Sequence, residues 1–506
     1  MTDALTTTDP RTGETHDTAL VATSDAAVGA AAAAAAKSFA ALRWTGRAWR
    51  AGLLEALADA LEAARDELVA VADRETGLGA ARLTGEVGRS AFQFRLFAEA
   101  LRDGGYLEAT IDHAGETPIG PGPDLRRMLI PIGPVAVFGS SNFPFAFSVA
   151  GGDVASALAA GNPVIIKAHG SHLETSAATF VTLSAAATGY GAPSATLGIV
   201  YGTQAGRALV ADPQVRAVGF TGSLDGGRAL LSIIESRPDP IPFYGELSSL
   251  NPLVVTPAAA RDRGDAVAEG LFGSFTLGSG QFCTKPGLAF VPAGDAGDAI
   301  VRQLADRARA AEPGVLLNER IGTSFGEIRE RLVERGRARV VAMGSGERAQ
   351  GFHATPTVLE LDAAAVTPDV TEEAFGPLIV VARYATTADV FTALDAVPDS
   401  LTATIHAQPD ESALIDELVR ELVPRAGRVV FNGYPTGVRV AWAQHHGGSW
   451  PSTNSQHTSV GVSAIRRFLR PVAYQDAPAH ALPVELRDGA SDVPRRIDGV
   501  LTLPTA

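Results

Sequence analysis

Residues 24–103 carry apolar side chains at helical spacing. In "LLEALADALEAARDELVAVADRETG" (53–77) they recur every three or four positions, and the pattern stops near Gly77. The seven-alanine run Ala30–Ala36 belongs to the same stretch and needs only high helix propensity. From residue 129 the period changes. "LIPIGPVAVFGSS" reads as a strand with a turn, followed by apolar strands "NPVIIKAH", "ATLGIVYG", "VRAVGFTGS" and "PIPFYGELSS". Helical stretches separate them: "FSVAGGDVASALAAG", "LETSAATFVTLSAAATGYG", "QAGRALVAD" and "LDGGRALLSIIESR". Strands without polar alternation, each followed by a helix, predict a parallel sheet covered on both faces. Ligands of such sheets bind beyond the carboxyl ends of the strands.

A second alternation runs from about 251 to 433. Its strands are "PLVVTP", "GLAFVP", "LIVVARY", "LTATIHA" and "GRVVFNG"; its helices are "GDAIVRQLADRARAAE" and "SFGEIRERLVERGRARVVA". The segment 113–129 and the tail from about 470 fit neither pattern. The predicted fold is therefore α/β, with two Rossmann-like parallel-sheet domains and a small arm. Residues 1–112 and 130–250 form the first domain, 251–469 the second, and 113–129 with 470–506 the arm and tail. A chain of 506 residues supports that number of cores.

Composition narrows the function. The formal net charge is −14, which disfavours nucleic acid and anionic membrane surfaces as partners. The start is polar, and no long apolar run lacks breakers, so a cytoplasmic protein is expected. A single cysteine, Cys283, makes neither an internal disulfide nor a cysteine-rich metal site, and no metal is expected.

Six features can carry chemistry. Cys283 follows a glycine-rich turn, where backbone N–H groups can approach an oxyanion, although a lone cysteine is commonly a buried small hydrophobe. Glu246 ends an apolar strand, as a general base would, or as a surface carboxylate would. Asn142 follows a strand and precedes "FP", suiting an oxyanion donor or a plain Asx turn. Gly222 lies in a strand-turn-helix whose helix start could face a diphosphate. Lys167 ends "NPVIIK", and Glu373 and Phe375 stand in "TEEAFGPLIVV".

In this order the set resembles the aldehyde dehydrogenase superfamily over roughly residues 20–500. "SSNFPFAFSVAGGDVASALAAGNPV", "GQFCTKPGL" and "NGYPTGVRV…HHGGSWPSTN…TSVG…RFLRPVAYQD" are most similar to its 2,5-dioxovalerate (α-ketoglutarate semialdehyde) and bacterial NADP-dependent fatty aldehyde dehydrogenases. The resemblance implies Cys283 as nucleophile, Glu246 as base, and Asn142 with the Cys283 N–H as oxyanion hole. It implies Lys167 at the adenosine ribose or its phosphate, and Gly222 and Ser223 at the diphosphate. Glu373 would hold the nicotinamide ribose, with Phe375 beside it. Ser141 stands where most of the superfamily has Trp, and Ser248, Ser249 and Leu250 where most have Gly-Gly-Lys. Gly170 stands where NAD-preferring relatives carry Glu; with Lys167, His169 and Arg207 nearby, this favours NADP over NAD. The implied reaction is NAD(P)-dependent oxidation of an aldehyde to an acid through a cysteine thiohemiacetal and thioester. The first substrate is 2,5-dioxopentanoate; the alternatives are a fatty aldehyde or a non-catalytic relative. Phe145, Gln281 and Phe431 are expected pocket walls, and Arg439 a partner for a distal carboxylate. A homodimer or homotetramer is expected.

Overall fold

The computed structural model describes residues 4–346, 350–489 and 491–504. Its first sheet has five strands in the order Phe243–Glu246, Ala217–Thr221, Val135–Phe138, Val164–Lys167 and Leu197–Val200, all parallel. Both faces are covered, and strand side chains divide between them with period two. Ala136, Phe138, Ile165, Val218 and Phe243 join one core; Val135, Val137, Val164, Ile166 and Ala217 join the other. The first core is closed by helices Asp25–Leu42, Thr203–Ala211 and Leu224–Glu235, the second by Arg47–Ala63, Ala80–Asp103, Gly152–Ala160 and Leu173–Tyr190. The alanine-rich helix Asp25–Leu42 is long and apolar enough to cross a membrane by length and composition. Here it lies on the sheet, with Val28, Ala32 and Ala35 packed among Ile165 and Val200.

The second sheet has seven strands: Arg339–Met343, Thr357–Asp362, Leu378–Tyr384, Leu288–Pro292, Leu253–Val255, Ser400–His406 and Ala426–Phe431. All neighbours are parallel except the first pair. That edge strand corrects the expectation of one helix over 324–342. The helix ends at Glu334, and Arg339–Met343 is extended. Gly336 sits so close to Val370 that a Cβ there would lie 2.2 Å from it, and Arg337 takes φ 54°. The chain reverses there, and the β-branched pair Val340–Val341 enters the sheet.

A third sheet joins Leu469–Gln475, Leu125–Pro131, Thr110–Asp112, Arg495–Ile497 and Val500–Thr502. Segment 113–129 and the tail thus meet within one chain. The stretch 129–141 is divided: its first residues belong to this arm and Val135–Phe138 to the first sheet. The turn Val462–Phe468 was expected with the second domain, yet Ala464, Ile465 and Phe468 pack into the core of the first. The polar start forms a hairpin, Ala4–Thr8 with Thr15–Val21. It is tied to the first domain by Thr7 donating to Glu75 (2.7 Å), and to the second by Phe352 N–H donating to Pro10 O (2.8 Å).

Candidate active site

The carboxyl ends of the first sheet open onto a cavity of about 1220 Å³ that also takes walls from the second domain. Strand ends supply Lys167 and Glu246. The loop after helix Pro257–Thr276 supplies Cys283. That loop turns sharply, with Gly278, Ser279 and Gly280 at φ 56°, 57° and 70°. A Cβ on Gly280 would fall 2.2 Å from Gly376 O, so glycine lets the nucleophile loop touch the Glu373–Phe375 loop. Asn251 Nδ2 then donates to Cys283 O (2.8 Å) and Lys285 O (3.0 Å), holding the thiol's backbone.

Three reacting groups converge. Cys283 Sγ lies 3.6 Å from His446 Nε2, which lies 3.0 Å from Glu246 Oε1. Ser459 Oγ donates to the other Glu246 oxygen at 2.7 Å. The sulfur, the ring nitrogen and a carboxylate oxygen all lie within 4.8 Å of one another. Burial alone would raise the Glu246 pKa, but the His446 ring and hydrogen bonds from His446 and Ser459 outweigh it, pushing the carboxyl down to about 2. The Cys283 thiol goes the other way, pushed well up by burial first and by the Glu246 charge second. His446 was not singled out by sequence reasoning. Its signal was the pair His445–His446 before Gly-Gly, in a stretch that served only to mark the branch.

Asn142 is buried, and its Nδ2 donates to Gln281 O at 3.0 Å, two residues before the nucleophile. One N–H is thus anchored, and the amide borders the cavity. Ser248 Oγ and Ser249 N–H both donate to one oxygen of Glu373, at 2.6 and 3.1 Å. The two serines therefore position Glu373 from the segment just after the strand that bears Glu246, and among the described residues no hydrogen bond falls on its second oxygen. Burial raises the Glu373 pKa, opposed by Ser248 and by Lys285. Lys285 is itself fully buried, donates to Leu378 O (3.0 Å), and is pushed down to about 8 by burial.

Lys167, His169, Gly170, Arg207, Gly222, Ser223, Glu373 and Phe375 all border the cavity. This donor set fits a dinucleotide. Ser223 caps helix Leu224–Glu235 and accepts from Gly226 N–H, so a helix start faces the cavity. Nothing lies within 4 Å of a Cβ built on Gly170, which leaves room where a carboxylate would repel phosphate. His169 contributes no charge. Burial first and His172 second hold its pKa well below 6.5, and Nδ1 accepts from Ser171 N–H.

None of the four expected substrate-pocket residues borders the cavity. Phe145 is fully buried, with its N–H and that of Ala146 donating to Glu86 Oε1. Phe143 and Phe147 take its place on the wall. They are four residues apart on one side of the turn, with ring centroids 5.3 Å apart, so Phe145 between them faces the core. The Gln281 side chain is spent on Gly278 O, Val315 O and Leu317 N–H. Phe431 is half exposed at a strand end, and Arg439 is exposed.

A cavity bordered by a cysteine, a carboxylate and a side-chain amide, with a donor set that fits a dinucleotide, is what an aldehyde-oxidising enzyme requires. Residues 2–471 match the aldehyde dehydrogenase family, and the chain belongs to it. It is an NAD(P)-dependent oxidoreductase acting on aldehydes. The chain is 45% identical over 502 residues to α-ketoglutaric semialdehyde dehydrogenase 2 of Azospirillum brasilense, covering 97% of this chain and 95% of that one. It is 42% identical over 479 residues to α-ketoglutaric semialdehyde dehydrogenase of Acinetobacter baylyi, covering 93% and 91%. A mutant aldehyde dehydrogenase C of Pseudomonas syringae, complexed with NAD+ and octanal, shares the fold at TM-score 0.80 and 23% identity, with 94% of each chain covered.

Proposed function

We propose that this enzyme oxidises 2,5-dioxopentanoate to 2-oxoglutarate with NADP, acting in the cytoplasm as a homo-oligomer. The chemistry rests on one observation: thiol, imidazole and carboxylate within 4.8 Å on the edge of a dinucleotide cradle. The substrate rests on two relatives above 40% identity that carry the name of this semialdehyde.

The resting pair is a neutral thiol and an ionised Glu246. The Cys283 proton therefore leaves toward the Glu246–His446 pair as sulfur attacks the aldehyde carbon. Neutralising Glu246 removes the charge that had opposed thiolate formation. The C–S bond forms and the carbonyl π pair moves onto oxygen, where Asn142 N–H and Cys283 N–H receive it. The nicotinamide group, when bound, accepts a hydride at this centre. What remains on Cys283 is a thioester. That first proton passes from the pair to solvent, so the ionised Glu246 can take a proton from water as the water oxygen attacks the thioester carbon, and C–S cleavage returns the thiolate and releases the acid. Lys167, Arg207 and the start of helix Leu224–Glu235 would hold the phosphates, and Glu373 a ribose.

NADP preference is supported by the open space at Gly170 and by Lys167 and Arg207 on the same cavity, neither side chain having a partner among the described residues. Self-association is supported by apolar groups exposed on the arm: Ile119 at a hairpin tip (99% exposed), with Leu501 and Leu503 on the tail.

The test is a kcat/KM panel of aldehydes against both cofactors. The reading expects 2,5-dioxopentanoate with NADP to lead and Cys283→Ser to be inactive. A far higher kcat/KM for long aliphatic aldehydes, which the rings of Phe143 and Phe147 could also accommodate, would replace the substrate.

A further inference from the structure

Arg89 is a largely buried cation with no hydrogen-bond or salt-bridge partner among the described residues, close to the reacting groups. It lies on helix Ala80–Asp103. Its Nε and Nη2 are shut off from solvent and have no hydrogen-bond partner among the described residues. The guanidinium sits over Phe143 and Phe147, 5.6 and 5.4 Å from their centroids. Both rings border the cavity and Arg89 lies behind them, off its border; the Phe147 ring is 6.4 Å from that of His446, whose Nε2 is 3.6 Å from the Cys283 sulfur. The charge of Arg89 is felt first at Glu86, then at Cys283 and Glu246.

On that helix face Glu86 attracts Arg89 without hydrogen-bonding it. Glu86 lies between Arg89 and Arg82, but one of its oxygens is taken by the Phe145 and Ala146 N–H groups and the other has no partner. Burial pushes the Glu86 carboxyl toward its protonated form. Arg82 donates to Asn142 O at 2.6 Å and lies over Phe143 and Phe282, so it is committed to the oxyanion loop. Guanidinium N–H groups left dry and unpaired are costly, and an acceptor supplied by a ligand would offset that cost.

We propose that Arg89 takes the distal carboxylate of the substrate and so selects short oxo acids over neutral aldehydes. Nε and Nη2 form one edge of the guanidinium fork, which matches the two oxygens of a carboxylate. This rests on the substrate reading above and assigns it a residue, in place of the exposed Arg439. It also accounts for a cation beside a wall of phenylalanines: the rings take the methylene chain and the fork takes its end.

The experiment compares 2,5-dioxopentanoate with pentanal in the wild type, Arg89→Met and Arg89→Lys. In Arg89→Met the ratio of the two kcat/KM values should fall by about 10²-fold, mostly through KM for the oxo acid. Arg89→Lys keeps the charge without the fork, so its ratio should fall by a smaller factor. Equal losses for both aldehydes, with a shifted pH profile, would assign Arg89 to the thiolate and overturn the proposal. If Arg89→Met does not fold, an unchanged ratio in Arg89→Lys overturns it alone. A wild type that does not prefer the oxo acid overturns the substrate reading itself, and this proposal with it.

Discussion

Glu246 and Cys283 lie too close to carry two full negative charges without cost, and that repulsion sets the chemistry at the scale of single residues. Wild-type thiolate should form only above the ordinary thiol range near pH 8.5, because burial and then the Glu246 charge raise its pKa. Glu246→Gln removes the charge, so the thiol pKa falls. The pH profile of Cys283 alkylation by iodoacetamide should therefore move to lower pH. The same variant lacks the base for thioester hydrolysis. Stopped-flow traces should show one equivalent of reduced cofactor, then a steady rate lower by about 10²–10⁴-fold. His446 makes a separate prediction. It contributes most of the pull that holds Glu246 down to about 2, so His446→Asn should move the acid limb of the kcat profile upward in pH. Cys283, Glu246 and Asn142 were legible as candidates because the motifs around them resemble those of a known family. His446 was not, because it lies 163 residues from Cys283 in an irregular loop, and no periodicity marks a loop residue.

At the scale of elements, the nucleophile loop depends on one close approach. Gly280→Ala would place a methyl against Gly376 O and require a left-handed backbone of alanine. Destabilisation of about 1–3 kcal/mol is expected from the denaturant midpoint. A raised KM for the cofactor should accompany it, since Glu373 follows the displaced loop. The N-terminal hairpin offers a second check. Thr6 and Thr8 border the cavity, and Pro10 is bonded across to Phe352. Removing residues 1–21 should raise KM for NADP more than for the aldehyde in steady-state assays. Its polar, Thr-rich sequence lacks the apolar run that identified the other strands, which is why the hairpin was not read from sequence. The edge strand Arg339–Met343 was missed for a related reason: charged residues run on from the helix to its first residue, Arg339, so the polar pattern does not break where the backbone does.

For the whole molecule, the arm sheet closes within one chain and still leaves Ile119, Leu501 and Leu503 exposed. Light scattering should report a multimer, and Leu501→Arg should shift it toward smaller species. The two α/β domains could be read in the chain because buried parallel strands are continuously apolar and each is followed by a helix, a local property of sequence. The order of those elements came the same way, while Cys283, Glu246 and the residues bordering the cavity were assigned roles only by the resemblance of their motifs to a known family. Tertiary structure decided the rest. It turned Phe145 inward and Phe143 and Phe147 outward, and it spent Gln281 on backbone. It also left Arg439 in solvent, and brought His446 and Arg89 from distant segments to the nucleophile. Side-chain direction in a turn, and contacts between segments hundreds of residues apart, depend on packing, and packing exists only once the chain has folded.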